Sequence, residues 1–229
     1  MSDLLNTFLL VYAGLFPIVN PVGSAPIFLG LTRDATTPER HHLARGVAVN
    51  SFLLLLGSLF VGSHVLVFFG ITLPVVRVAG GLVVSAFAWK LLQAGDGQPE
   101  ARRIDPGHEL KADATASAHA AALDSFYPLT MPLTVGPGSI SVAITLGSQR
   151  PKEAGDLVEI ALLGGAAVVG LAAIALTVYL CYRYAERIVA ALGERGTNVL
   201  VRLSAFILLC IGVQIVWNGV GALLATGAR

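Results

Sequence analysis

Two proline-rich segments with the same spacing restrict how this chain can fold. The first covers residues 16–26 and the second covers residues 127–137, at a constant offset of 111 residues. Each begins with an aromatic residue and a proline, and two further prolines follow at the same intervals. Proline lacks a backbone N–H group and clashes with the preceding helical turn. Neither segment can therefore be one continuous helix, although each lies in an uncharged stretch that otherwise resembles a membrane helix.

Long uncharged stretches predict a membrane protein. Only 13% of the 229 residues are charged and 55% are hydrophobic, whereas a soluble domain has about 25% charged residues. A helix needs about 20 apolar residues to cross a bilayer. Five uncharged stretches meet this length, and a sixth helix qualifies if the Arg77 and Lys90 side chains extend to the membrane interfaces. The sequence predicts an all-α protein with six transmembrane helices. The uncharged stretches are residues 4–32, 46–76, 125–149, 160–182 and 203–228, and the sixth helix covers residues 73–92.

The chain divides into two halves, each opened by one proline segment. Residues 1–92 and 114–229 are predicted to hold three spans each, and the charged, Gly- and Pro-containing stretch 93–113 is a predicted cytoplasmic linker. Because three is an odd number, the second half enters the membrane from the opposite side, which is the inverted-repeat plan of many secondary transporters. Loops on one side of the membrane hold 11 Lys and Arg residues against 4 on the other. The richer side is predicted to be cytoplasmic, which puts both termini in the periplasm.

Two breaks at matching positions predict a polar cavity between them. Unwound backbone at membrane depth is tolerated only where it is buried in protein or lines a cavity. A half-helix start offers free N–H groups that suit a carboxylate, and a half-helix end offers carbonyls that suit an ammonium group. One small zwitterion would bind to both the N–H groups and the carbonyls. The alternative is that the prolines only kink two helices that pack against each other, without forming a binding site. The candidate substrate-binding residues are Asn20, Pro21, Gly23, Ser24, Ala25, Thr130, Thr134, Gly136, Gly138 and Ser139.

Three further polar residues are candidates for coupling or gating. Asp124 precedes the second break; it is either a membrane-embedded carboxylate that carries a proton or an ordinary interface charge. Gln214 and Asn218 lie four residues apart on one helix face. They either reach the cavity or join two helices by hydrogen bonds.

Other function classes find little support. A net charge of +1 gives no reason to expect a nucleic-acid partner. The adjacent histidines His41 and His42 lack further ligands, and Cys181 and Cys210 lie in apolar helices, so we expect neither metal nor other cofactor. No P-loop, Gly-x-Ser-x-Gly or zinc-ligand motif indicates an enzyme.

At the proline segments the chain resembles the MarC family of integral membrane proteins. The matching stretches are residues 20–28, 77–81, 128–140 and 214–219. The resemblance implies a six-helix protein of the bacterial inner membrane, kinship with lysine-exporter-type transporters, and transport of small neutral amino acids such as glycine and alanine by some members. Thr130 and Thr134 depart from the mostly apolar or small residues expected there.

These observations lead to one functional hypothesis and two alternatives. The hypothesis is a secondary transporter of small neutral amino acids, with a proton or sodium as the candidate coupling ion. The alternatives are an exporter of drugs or metabolites and a non-transporting membrane scaffold. The bilayer is an expected partner, and Gly80, Gly81 and the glycines of the fifth helix are candidates for packing either within one subunit or in a homo-oligomer.

Overall fold

The computed structural model describes residues 2–93, 124–148 and 157–227. Regular structure within these ranges is helical, with no β-strand. A π-helical turn at Leu129–Thr134 lies between α5 and α6. The α-helices in chain order are α1 Ser2–Val19, α2 Pro21–Leu31, α3 Thr37–Phe60, α4 Gly62–Phe68, α5 Leu73–Gln93, α6 Pro137–Ser148, α7 Leu157–Arg183 and α8 Ala185–Gly227.

Four helical segments of the described residues are long and apolar enough to cross a membrane. They are Thr37–Phe60, Leu73–Gln93, Ala161–Arg183 and Arg195–Ala225, and α1 with α2 adds a fifth if the bent pair forms one span. The remaining predicted span is represented by α6, whose 12 residues are too few. Residues 114–123, at the start of the predicted second half, lie outside the described ranges, as does most of the linker 93–113. Six spans, the inverted repeat, the division at residues 92 and 114, and the orientation of the termini therefore stay predictions.

Local sequence explains where several helices begin and bend. At the start of α3, the Thr36 backbone N–H and hydroxyl donate to the Glu39 carboxylate at 2.8 and 2.7 Å, which is half of a capping box. Gly193 interrupts α8 with φ 65°, a conformation that glycine adopts without steric cost. The apolar part of α8 therefore begins after a short, separately directed segment that follows Arg183.

Small residues let the helices approach closely within one subunit. A Cβ atom added to Gly81 would lie 2.8 Å from the Gly212 carbonyl oxygen of α8. A Cβ on Gly147 of α6 would lie 1.8 Å from the Leu59 carbonyl oxygen of α3, and one on Gly80 would lie 2.5 Å from the Ser141 Cβ. Close backbone approach of this kind is how helices associate in lipid, where apolar burial offers little gain. Gly80 and Gly81 thus serve packing inside the subunit.

The first break is surrounded by buried apolar residues. Leu15, Val19, Ala25 and Phe28 are almost fully buried in the main hydrophobic core, and both α1 and α2 contact α7. By contrast, large apolar side chains such as Trp217 are exposed on the outer helix faces, as expected where lipid is the solvent. The broken segment therefore lies in the interior of the helix bundle.

Candidate functional site

Asn20 is the residue at which the first helix breaks, between α1 and α2. This residue has φ 47° and ψ 54°, in the left-handed region, and its side-chain oxygen accepts a hydrogen bond from the Gly23 N–H at 3.2 Å. Asparagine tolerates this conformation better than most residues and is a preferred N-cap. Pro21 occupies the first position of α2, where its missing N–H costs nothing. The result is a bend of 41° between α1 and α2.

The second break has a different geometry. Residues Leu129–Thr134 form a π-helical turn in which Met131 is extended, at φ −112° and ψ 121°. The Thr130 hydroxyl donates to the Ser125 carbonyl at 2.6 Å, and the Thr134 hydroxyl donates to the Leu129 carbonyl at 2.7 Å. Both threonines are buried. The Ser125 carbonyl also accepts a hydrogen bond from the Thr130 backbone N–H at 3.1 Å, so the threonine hydroxyls add to the backbone hydrogen bonds of this turn.

Tyr182 of α7 joins the two breaks. Its side chain is fully buried and stacks on Phe28 of α2, with ring centroids 4.3 Å apart. Its hydroxyl lies 2.7 Å from the Thr134 hydroxyl. Since Thr134 donates its own proton to Leu129, Tyr182 is the donor in this bond. The Ser24 side chain at the start of α2 lies beside the Tyr182 hydroxyl, so one phenol contacts a candidate residue from each break.

A small cavity lies beside the second break. Its volume is about 80 Å³, far below the roughly 300–1,000 Å³ typical of pockets for drug-sized ligands. None of its twelve lining residues carries a charge. The second break contributes Pro132, Leu133, Thr134, Gly136, Pro137, Gly138 and Ser139, and the other helices contribute Ile18, Val83, Val84, Phe87 and Leu208.

The start of α6 borders this cavity. The first N–H groups of a helix have no acceptor inside the helix, and the helix dipole makes this end positive. Here the Ile140 N–H donates to the Gly136 carbonyl at 3.1 Å, which leaves the preceding N–H groups of Gly138 and Ser139 without an acceptor inside the helix. The Ser139 hydroxyl donates to the Gly136 carbonyl at 3.0 Å. The cavity wall thus offers backbone donors suited to a small carboxylate.

The structure places the predicted site residues in three groups. Four line the cavity, namely Thr134, Gly136, Gly138 and Ser139. The five candidates of the first break and Thr130 do not line it; Ser24 is connected to it through Tyr182, and Thr130 is buried against Ser125. The third group, Asp124, Gln214 and Asn218, lies away from the cavity and is exposed. Asp124 accepts a hydrogen bond from the Phe126 N–H at 3.1 Å, and Gln214 donates to Asn218 at 2.9 Å.

Sequence reasoning missed Tyr182 and the apolar side of the cavity. Tyr182 ends an uncharged stretch next to Arg183, a position typical of an aromatic residue at the membrane interface. Its role depends on how α7 packs against α2, which no local pattern indicates. Val84, Phe87 and Leu208 likewise resemble ordinary residues of apolar helices.

Comparison with known proteins assigns the family. A model described as MarC family integral membrane protein matches residues 5–224. The chain belongs to the MarC family. It is 31% identical over 229 residues to the inner membrane protein MarC of Salmonella typhimurium, covering 99% of each chain. It is also 31% identical over 211 residues to the membrane protein YvbG of Bacillus subtilis, covering 91% of this chain and 92% of that protein.

Membership of the MarC family and the four long apolar helices make the chain a multi-pass protein of the inner membrane. The family and relatives' names specify this location but no substrate. No solved structure matches the chain. The chemistry of the site therefore has to be argued from its own residues.

Proposed function

We propose that this protein is a secondary transporter of small neutral amino acids, which bind in the cavity beside the second break. The observation that carries the proposal is the uncharged cavity of about 80 Å³ at the start of α6. Tyr182 connects its wall to the first break, because its hydroxyl hydrogen-bonds Thr134 and contacts Ser24. A substrate in the cavity is therefore in contact with a network that includes both discontinuous helices.

The lining favours a substrate with no net charge. Burying an ion without a partner is costly, and no charged side chain lines the cavity. A zwitterion avoids this cost if backbone groups serve both of its ends. The Gly138 and Ser139 N–H groups are suited to the carboxylate. The Pro132 carbonyl, which lies 3.3 Å from where a Cβ on Gly136 would sit, is a candidate partner for the ammonium group.

The dimensions favour glycine, alanine and serine over larger molecules. The remaining wall, with Val84, Phe87 and Leu208, suits a hydrogen or methyl substituent better than a long polar chain. An exporter of bulky drugs needs a much larger apolar cavity than 80 Å³. A scaffold without transport activity needs no cavity at a helix break.

A transport assay in proteoliposomes tests the proposal. Vesicles with the purified full chain are loaded with labelled glycine, alanine or serine, and flux is measured with and without imposed proton and sodium gradients. We expect flux above that of protein-free vesicles for at least one of the three, and dependence on one gradient identifies the coupling ion. Flux equal to that of protein-free vesicles for all three substrates, under every gradient, would rule the proposal out.

Two variants, one in the cavity and one at the first break, locate the site within the same assay. Gly138→Leu places a side chain in the cavity, and Ser24→Leu removes the hydroxyl that contacts Tyr182 and adds bulk beside it. We expect both to abolish flux. Gly165→Leu is the matched control, because a Cβ at this α7 position meets no atom within 4 Å. Unchanged flux in Gly138→Leu would place the substrate elsewhere.

A further inference from the structure

A groove runs along the outside of the bundle between α3 and α7. Its volume is about 510 Å³. The floor is apolar and built from Ala48, Val49 and Phe52 on α3 and Ala172, Ala175 and Leu176 on α7. From Ala172 to Tyr179 it follows α7 for roughly 10 Å at 1.5 Å per residue. Such a groove suits a flexible hydrocarbon chain.

One end of the groove is basic and aromatic. Arg45 of α3 and Tyr179 of α7 line this end. Arg183 donates to the Tyr179 hydroxyl at 2.6 Å and lies over the Tyr179 ring, 5.7 Å from its centroid. Arg187 lies 5.3 Å from the centroid of the neighbouring Tyr184. Arginines and tyrosines at the end of an apolar helix mark the level of the lipid headgroups.

These arginines have no acidic partner in the part of the chain that the structure describes. The two ion pairs there join Arg33 to Asp34 and Arg40 to Glu186. Arg45 and Arg183 are exposed. Their positive charge is therefore available to an anion at the end of the groove, beside the Tyr179 hydroxyl that Arg183 contacts.

We infer that this groove binds an anionic phospholipid. One acyl chain lies along the apolar floor, and the phosphate is held by Arg45 and Arg183 with the Tyr179 hydroxyl. Arginine binds phosphate through paired N–H donors, and basic pockets between transmembrane helices are typical lipid-headgroup sites. A second copy of this chain is a poor occupant. Two copies paired through the groove in the same membrane orientation would bring their basic ends together.

The inference is tested by lipid titration of the intact protein in detergent, monitored by native mass spectrometry. The probes are dioleoyl phosphatidylglycerol and dioleoyl phosphatidylethanolamine, which share acyl chains and phosphate but differ in net charge. We expect tighter binding of phosphatidylglycerol. Arg45→Gln and Arg183→Gln should each weaken it about fivefold, given about 1 kcal/mol per basic residue near an anionic headgroup.

Three further variants make the result specific. Arg33→Gln removes an exposed cation outside the groove and should leave the selectivity unchanged. Arg45→Lys keeps the charge, so it should retain most of the binding and distinguishes charge loss from misfolding. Ala172→Trp should block the floor and reduce binding of both lipids. Equal binding of the two lipids by the unmodified protein, or full phosphatidylglycerol binding by Arg45→Gln, would overturn the inference. The inference would also fail if the protein were a dimer that the Ala172→Trp substitution dissociates without reducing lipid binding.

Discussion

At the scale of single residues, the Tyr182 hydroxyl connects two parts of the chain that lie more than 100 residues apart. It donates to Thr134 and contacts Ser24, while its ring covers Phe28. Hydrogen bonds in a buried network strengthen one another, and an unpaired member is costly. The phenol therefore both stabilises the breaks and sets their relative position.

The first prediction concerns this hydroxyl. Tyr182→Phe keeps the ring but removes the bond to Thr134, which should lower the free energy of unfolding by about 1–2 kcal/mol. It should also lower the initial rate of amino-acid flux about tenfold, because the two breaks lose their shared contact. Thermal unfolding in detergent and the proteoliposome assay measure the two effects.

Tyr12→Phe is the matched control for this variant. Its hydroxyl bonds Thr177 at 3.2 Å in a partly buried position away from the cavity. We expect a cost below about 1 kcal/mol and normal flux. Equal losses of flux in the two variants would mean that the Tyr182 bridge has no special role.

The second prediction concerns the contact between Gly138 and Val84. A Cβ on Gly138 would lie 1.8 Å from the Val84 Cγ2 atom, and Val84 is a stiff, buried side chain. Gly138→Ala should therefore destabilise the protein by about 1–3 kcal/mol and reduce flux by filling part of the cavity. The double variant Gly138→Ala with Val84→Ala removes the clash and should recover stability.

Thermal unfolding of the two single variants and the double variant gives the coupling between the two sites. Recovery in the double variant indicates direct contact, whereas additive losses would show that the two residues do not meet. Gly165→Ala controls for glycine replacement in a helix, since it has open space around it.

At the scale of elements, the two breaks show how one sequence pattern produces two geometries. The prolines match at every position, yet Asn20 aligns with Met131. Asn20 adopts the left-handed conformation and caps α2, whereas Met131 is extended within a π-helical turn. The prolines determine that each helix breaks, and the residues between them decide how.

The third prediction follows from the conformation of Asn20. Asn20→Ala loses the cap to Gly23 and places a less tolerant residue at φ 47°, so we expect a loss of about 1–2 kcal/mol. Asn20→Gly loses the cap but accepts the conformation, so it should cost less than about 1 kcal/mol. Thermal unfolding decides the order, and a larger loss for Asn20→Gly would contradict this account of the break.

At the scale of the whole molecule, Arg40 ties three helices together at one end of the bundle. It is buried and donates to the Thr32 and Ala35 carbonyls, both at 3.0 Å, just beyond the end of α2. It also pairs with Glu186 near the start of α8. The end of the bent segment is thereby attached to both α3 and α8.

The fourth prediction separates the two functions of Arg40. Arg40→Met leaves the buried carbonyls near the end of α2 without their charged donor, and we expect a loss of about 2–3 kcal/mol. Glu186→Gln should cost less than about 1 kcal/mol, because the Glu186 side chain is 55% exposed and its charge is screened. Chemical unfolding in mixed micelles compares the variants. If Glu186→Gln is as damaging as Arg40→Met, the ion pair and not the carbonyl contacts holds this end together.

The sequence predicted the fold class more completely than it predicted the residues of the candidate site. The helical class, the long apolar helices and the position of both breaks follow from composition and proline spacing, and the structure confirms them. Of the candidate binding residues, only Thr134, Gly136, Gly138 and Ser139 line the cavity. The matching proline pattern predicted that both breaks would contribute residues equally to the cavity. Their different local conformations instead place the candidate residues of the two breaks in different parts of the helix bundle.

Sequence alone determined that this chain is helical and membrane-embedded, and that two of its helices cannot be continuous. The physical reasons are local, because apolar length sets whether a helix suits the bilayer and proline removes backbone hydrogen bonds wherever it stands. Only the tertiary structure decided which break forms the cavity, that Tyr182 joins the two breaks, and that Arg40 is buried. Those facts depend on contacts between helices that are distant in sequence and that approach closely at glycines. The sequence pattern of one helix does not show which other helix it will contact.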